Sequence, residues 1–153
     1  KVYSEKNIWK AKARKVYVSV KDLEELSATS GSDIYTENTL RVSNLNVMTT
    51  SGADARITVN AENITTSSTS GSDIKIMGTT VNHTASATSG SSINSFGLKS
   101  QNVIAKVTSG ANIDVYALES IDAVATSGGD IDYKGNPRQV NKKSTSGGSI
   151  SAQ

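Results

Sequence analysis

The chain has 153 residues, a formal charge of +2 and only 35% hydrophobic residues. That is enough for one domain, without the net field that advertises a nucleic-acid partner. Serine (24) and threonine (16) dominate beside 12 glycines and 12 asparagines, with no cysteine. The scarcity of strong helix formers excludes a helical bundle, the lack of a long apolar run excludes a membrane-spanning helix, and zero cysteine excludes disulfides and thiolate metal sites.

Residues 1–26 stand apart from the rest of the chain. The chain opens on Lys1 with no visible signal peptide, as a mature or trimmed chain does. Through Lys21 it carries seven basic residues against Glu5, whereas the remainder carries nine basic and thirteen acidic residues. Lys15–Val20 alternates apolar and polar side chains and predicts a lead-in strand. Asp22–Leu26 then reads as an irregular early coil with Leu23 and Leu26 inward. Trp9 with Lys10, Lys12, Arg14 and Lys15 has the composition of a patch for nucleic acid or anionic lipid. The simpler reading, preferred here, is a cap over one end of the fold.

From residue 27 to 153 the chain repeats itself. Thr-Ser-Gly occurs seven times, with glycines at Gly31, Gly52, Gly71, Gly90, Gly110, Gly128 and Gly147, spaced by 21, 19, 19, 20, 18 and 19 residues. Three residues after each glycine stand Ile34, Ala55, Ile74, Ile93, Ile113, Ile131 and Ile150. Further apolar or small columns fall two residues beyond these, and at three, five and seven residues before the glycine. A parity shared on each side of the glycine is period two, the signature of strands. A unit of this length cannot bury its inner face alone, but stacked copies can. The prediction is an all-β chain: a single parallel β-helix of about seven coils, roughly 19 residues each, forming one domain over 1–153. Coils about 4.8 Å apart bring identical columns together, so Ile34, Ile74, Ile93, Ile113, Ile131 and Ile150 form a core ladder. A β-propeller blade needs about twice this period, and leucine-rich repeats need more leucine.

Several columns are candidates for function. Thr29, Thr50, Thr69, Thr88, Thr108, Thr126 and Thr145 share outward parity, making a straight row of hydroxyls and methyls that a sugar or ordered water could meet. The plain explanation is that threonine suits strands and pairs along a ladder. Asp33, Asp54, Asp73, Ser92, Asn112, Asp130 and Ser149 form a second outward column. Stacked carboxylates repel by roughly 1 kcal/mol per pair in water, and calcium relieves such repulsion. Acceptance of backbone hydrogen bonds at a corner explains the column without a metal, so no metal and no cofactor is expected. His83 has inward parity between Ile64 and Val103 and reads as a core histidine. Phosphate-binding and nucleophile motifs are absent.

The units Ser27–Ile34, Thr50–Asp54 and Thr126–Ile131, the stretch Tyr133-Lys134-Gly135-Asn136-Pro137 and the closing Ser144–Gly148 together resemble the auto-transporter adhesin head domain family, also called the GIN domain. Val16–Leu23 resembles that family's lead-in strand, so the likeness runs over about residues 15–153. The resemblance implies a right-handed β-helix on the envelope or surface of Bacteroides-like bacteria, with an adhesive role and no catalytic residue to carry over. The family has further strands ahead of the lead-in strand, and residues 1–14 are too few to supply them.

The reading reached is therefore a non-catalytic, extracytoplasmic binding module presenting threonine, serine and aspartate ladders to a surface ligand, glycan or protein, with no nucleic acid and no membrane span. A structural element that forms homo-oligomers through its coil ends is the alternative. Polysaccharide-cleaving enzymes also use β-helices, but they need acid/base groups clustered in a groove, and spacings of 18–21 residues leave no material for one.

Overall fold

A computed structural model describes residues 15–153. The basic stretch around Trp9, read above as a cap, lies outside the described residues. Ten strands follow in order: β1 (Glu25–Thr29), β2 (Asp33–Tyr35), β3 (Leu40–Thr50), β4 (Asp54–Thr69), β5 (Asp73–Thr88), β6 (Ser92–Val107), β7 (Asn112–Ala125), β8 (Asp130–Lys134), β9 (Gln139–Ser144) and β10 (Ser149–Ala152). All pair in parallel, in the order β1-β3-β4-β5-β6-β7-β8-β10, with β2 on β4 and β9 on β7. No helix occurs among the described residues. This is the predicted solenoid, winding about seven turns of roughly nineteen residues.

The corners set the winding. At all seven repeats both the serine and the glycine have positive φ, 51–58° for serine and 65–78° for glycine. Two consecutive left-handed residues make the tight reversal of a type I′ turn. The Ser32 N–H closes the first of these turns onto the Thr29 carbonyl at 3.3 Å, and Gly129 and Gly148 close later ones at 3.0 Å. Neighbouring turns are tied as well. The N–H of Gly31, Gly52, Gly71, Gly90, Gly110 and Gly128 each donates to the corner serine carbonyl one coil on, at 3.1–3.2 Å. Where the residue after glycine is serine, its hydroxyl braces the turn again: Ser32, Ser72 and Ser91 Oγ each donate 2.8 Å to the carbonyl of the threonine three residues back.

Between corners, like meets like. The register pairs Ile34 with Ala55, Ala55 with Ile74, Ile74 with Ile93, Ile93 with Ile113, Ile113 with Ile131, and Ile131 with Ile150. Ile74, Ile93, Ile113 and Ile131 are at most 1% exposed, while the end members Ile34 and Ile150 are half-buried. The columns before the corner are also inside, with Val47, Ala85, Ala105 and Ala123 at most 1% exposed. A column directly after the glycine joins them: Ala53, Ser72, Ser91 and Ala111, whose small side chains let the coil narrow at its turn. The unequal spacings are absorbed away from the corners. Register shifts fall between Lys75 and Met77 where β5 meets β6, and between Ser95 and Lys99 and Ser100 and Asn102 where β6 meets β7.

One expected element is missing. Lys15–Val20 forms no strand, and Val16, Tyr17, Val18 and Val20 are 54–74% exposed. The alternation is correct for a strand, but a strand forms only where a neighbouring edge accepts its hydrogen bonds, and the first edge pairing is that of β1 with β3. Leu23 and Leu26 do pack against the core, as expected.

His83 sits inside, 1% exposed, stacked between Ile64 and Val103. Its Nε2 shares a 3.0 Å hydrogen bond with Thr66 Oγ1, and its Nδ1 is buried without a partner. Burial pushes its pKa down from 6.5 to about 4. Between those values the unfolded chain binds a proton that the folded chain refuses, so stability falls as pH drops through this window, by roughly 3 kcal/mol in full. Replacing both hydrogen-bond partners together (His83→Val with Thr66→Val) removes this contribution. The melting temperature of the double variant is expected to gain on the wild type as pH falls from 6.5 to 4; a constant difference across that range would refute the assignment.

Two glycine substitutions separate conformational strain from collision. Gly71 has φ +66 with nothing within 4 Å of an added Cβ, so Gly71→Ala should cost about 1–2 kcal/mol. Gly78 has φ +127 and its Cβ would overlap the Val59 carbonyl oxygen, so Gly78→Ala should cost at least about 3 kcal/mol in urea unfolding.

Candidate functional site

With the interior filled by side chains, chemistry is left to the outer faces, and the corner divides each coil into two. The segment before the corner turns outward the residues six, four and two positions ahead of the glycine. In two adjacent coils these are Thr65, Ser67, Thr69 and Thr84, Ser86, Thr88, every one a hydroxyl, in the register Thr65–Thr84, Ser67–Ser86 and Thr69–Thr88. This patch carries no charge. Its flanking coils are less uniform, with Asn46 and Met48 on one side and Ile104 and Lys106 on the other.

The threonine row stands where parity placed it. Thr29 and Thr145 are exposed, and Thr50, Thr69, Thr88, Thr108 and Thr126 are half-buried. Thr29 pairs with Thr50, Thr50 with Thr69, and Thr69 with Thr88. Their hydroxyls do not bond up the stack. Each of Thr29, Thr50, Thr69, Thr88 and Thr108 instead lies 3.3–3.4 Å from the Oγ of the serine after it. That is long for a hydroxyl pair, whose usual range ends near 3.0 Å, so the row keeps most of its hydrogen-bonding capacity.

The axial side-chain ladder is made by asparagine, a column that apolar periodicity does not reveal. Asn63 Nδ2 donates to Asn44 Oδ1 at 2.9 Å, Asn82 to Asn63 at 2.8 Å, and Asn102 to Asn82 at 3.1 Å, while the Ser120 hydroxyl closes onto Asn102 at 2.8 Å. The signal was available in the sequence: all four asparagines lie eight residues before a corner glycine. An amide carries donor and acceptor on one group, so a repeated amide satisfies its own copy above and below.

The segment after the corner is charged. Asp33, Asp54 and Asp73 stack in register, followed by Ser92, Asn112, Asp130 and Ser149. No group of three or more histidine or carboxylate side chains among the described residues is arranged to hold a metal ion. One column further along the strand run Tyr35, Arg56, Lys75, Asn94, Asp114 and Asp132. Burial, and then the neighbouring Asp54 carboxylate, push the Asp73 carboxyl above its ordinary value. Asp114 is raised likewise by burial and by Asp132, against the pull of Lys134. The one salt bridge among the described residues, Arg138 to Glu119 at 3.6 Å, is exposed and lies away from this face.

Comparison with known proteins agrees with this geometry. Over residues 1–137 the chain matches the family described as "Putative auto-transporter adhesin, head GIN domain". The match starts earlier than the resemblance at residue 15 suggested and stops before the last coil. Among solved structures, a putative lipid binding protein from Parabacteroides distasonis superposes with a TM-score of 0.80 at 23% identity, covering 84% of this chain and 52% of that one. A putative adhesin from Bacteroides fragilis superposes at 0.71 with 25% identity, covering 79% of this chain and 56% of that one. The chain thus spans about half the length of each. No curated protein matches it. With the corner motif repeated seven times and the family profile matched along most of its length, this chain belongs to the auto-transporter adhesin head GIN domain family.

Proposed function

We propose that this domain is a non-catalytic binding module of the bacterial envelope, held outside the cytoplasm, that meets its ligand with the hydroxyl face before the corner. The observation that carries the reading is the uncharged patch of Thr65, Ser67, Thr69, Thr84, Ser86 and Thr88. A flat β face presents hydroxyls at fixed intervals, so little side-chain entropy is lost when a partner docks. The adhesin description of the family agrees with a display surface of this kind. A catalytic role finds no support: the single histidine is buried in the core beside apolar neighbours, out of reach of any substrate. Lipid binding, in the description of the Parabacteroides neighbour, would have to use the outside of the coil, since isoleucine, valine and alanine fill the inside.

A second reading is an assembly element that stacks on another copy of itself. Among the described residues β9 and β10 are each paired on one side only, with Val140 41% exposed and Ile150 half-buried, and an unpaired strand edge accepts a further strand.

An array of surface glycans and matrix proteins tests the first reading, with Thr84→Lys as the probe variant. Thr84 is exposed at one end of the patch, so the variant should keep its melting temperature while losing at least about tenfold in affinity for any ligand found. Binding that ignores Thr84→Lys would overturn the assignment. No binding together with concentration-dependent light scattering would favour the second reading.

A further inference from the structure

The face after the corner holds a site of different chemistry. A shallow groove there is lined by Asp54, Arg56, Asp73, Lys75, Ser92 and Asn94. Its acceptors and donors are sorted into two parallel files. Asp33, Asp54 and Asp73 form one; Arg56, Lys75 and Asn94 form the other, two residues further along each strand. Among the described residues, neither Arg56 nor Lys75 lies within 4.0 Å of a carboxylate, so opposite charges run side by side without closing into ion pairs. Within each file, like charges face each other across adjacent coils. Both files therefore gain from a ligand that donates to one and accepts from the other.

Tyr35 stands at one end of the donor file, 56% exposed, with the Arg56 guanidinium 5.6 Å from its ring centre. An exposed aromatic ring beside planar polar groups offers an apolar contact together with directional hydrogen bonds. At the other end, Asn94 Nδ2 donates to Asp114 Oδ2 at 3.0 Å, which fixes that amide in place. Strand and coil steps give the groove a mesh of roughly 6.6 Å by about 4.8 Å, the scale of a sugar ring.

We propose that this groove binds a neutral oligosaccharide lying along the coil axis, with neighbouring hydroxyls donating to Asp54 and Asp73 and accepting from Arg56 and Lys75, and one ring resting on Tyr35. A hydroxyl is donor and acceptor at once, so adjacent hydroxyls bridge the two files where a carboxylate or an ammonium group could serve only one. Hydrogen bonds with one charged partner are the stronger kind. The local charge argues for neutrality: three carboxylates face two cations, which leaves an excess negative charge that repels a polyanion, while the interleaved cations oppose a bound metal. This site uses other columns than the hydroxyl face and stands or falls separately from it.

Titration of the isotope-labelled protein with cellohexaose, mannohexaose and hexagalacturonate, followed by amide NMR, tests the site. At least one of the two neutral hexamers is expected to shift amides in residues 33–35, 54–56, 73–75 and 92–94. Arg56→Ala and Tyr35→Ala should each weaken that binding by about tenfold or more, and Thr84→Lys should leave it unchanged. All three residues are exposed, and unchanged melting temperatures will show that the variants fold. Tighter binding of hexagalacturonate would overturn the neutral assignment. Shifts confined to residues 65–69 and 84–88 would overturn this site while supporting the hydroxyl face. No shift with either neutral hexamer at millimolar concentration would also overturn it.

Discussion

The whole solenoid hangs on a backbone conformation that serine ordinarily avoids. Seven serines, each followed by a glycine, adopt positive φ, and for a residue with a Cβ this costs roughly 1–2 kcal/mol. The structure accepts the cost because the turn's carbonyl then points at the glycine N–H of the preceding coil. Each corner is thus held by its neighbour, and a slip by one residue would break the hydrogen bond and reverse every side chain from inside to outside. Register, core and surface all depend on these stacked turns.

In-register parallel stacking has a chemical consequence: every side chain meets the side chain at the equivalent point of the next coil. For isoleucine this is favourable, and the column from Ile74 to Ile131 is buried throughout. For asparagine it is favourable too, since one amide completes the next. For aspartate it is not: burial first, and then the Asp54 carboxylate one coil away, push the Asp73 carboxyl above its ordinary value. The same geometry therefore rewards apolar and amide repetition and sets like charges against each other in the charged columns.

Much of this architecture is legible in the order of the residues. Period two on either side of a recurring Ser-Gly, at intervals near nineteen, specifies strand, corner and stack together, and the inward columns appear as parity predicts. Misreadings come where pattern alone is silent. The alternation of Lys15–Val20 describes a strand but cannot say whether an edge is there to receive it. Threonine's hydroxyls lie toward the corner serine that follows each strand end, which residue type alone does not reveal. The asparagine ladder is visible as a column but easily passed over, because attention to apolar periodicity favours residues that pack over residues that pair. The two-file groove emerges only in the folded chain, where Arg56 and Lys75 leave their neighbouring carboxylates unpaired.

The registers also tell how such a rod changes length. Every corner has nearly the same φ angles, and each coil packs chiefly on the ones beside it. Excising or duplicating the stretch from one serine-glycine turn to the next would bring equivalent surfaces together with no new joint to invent. The length of the rod can therefore drift over evolutionary time by whole rungs, while its cross-section stays as it is.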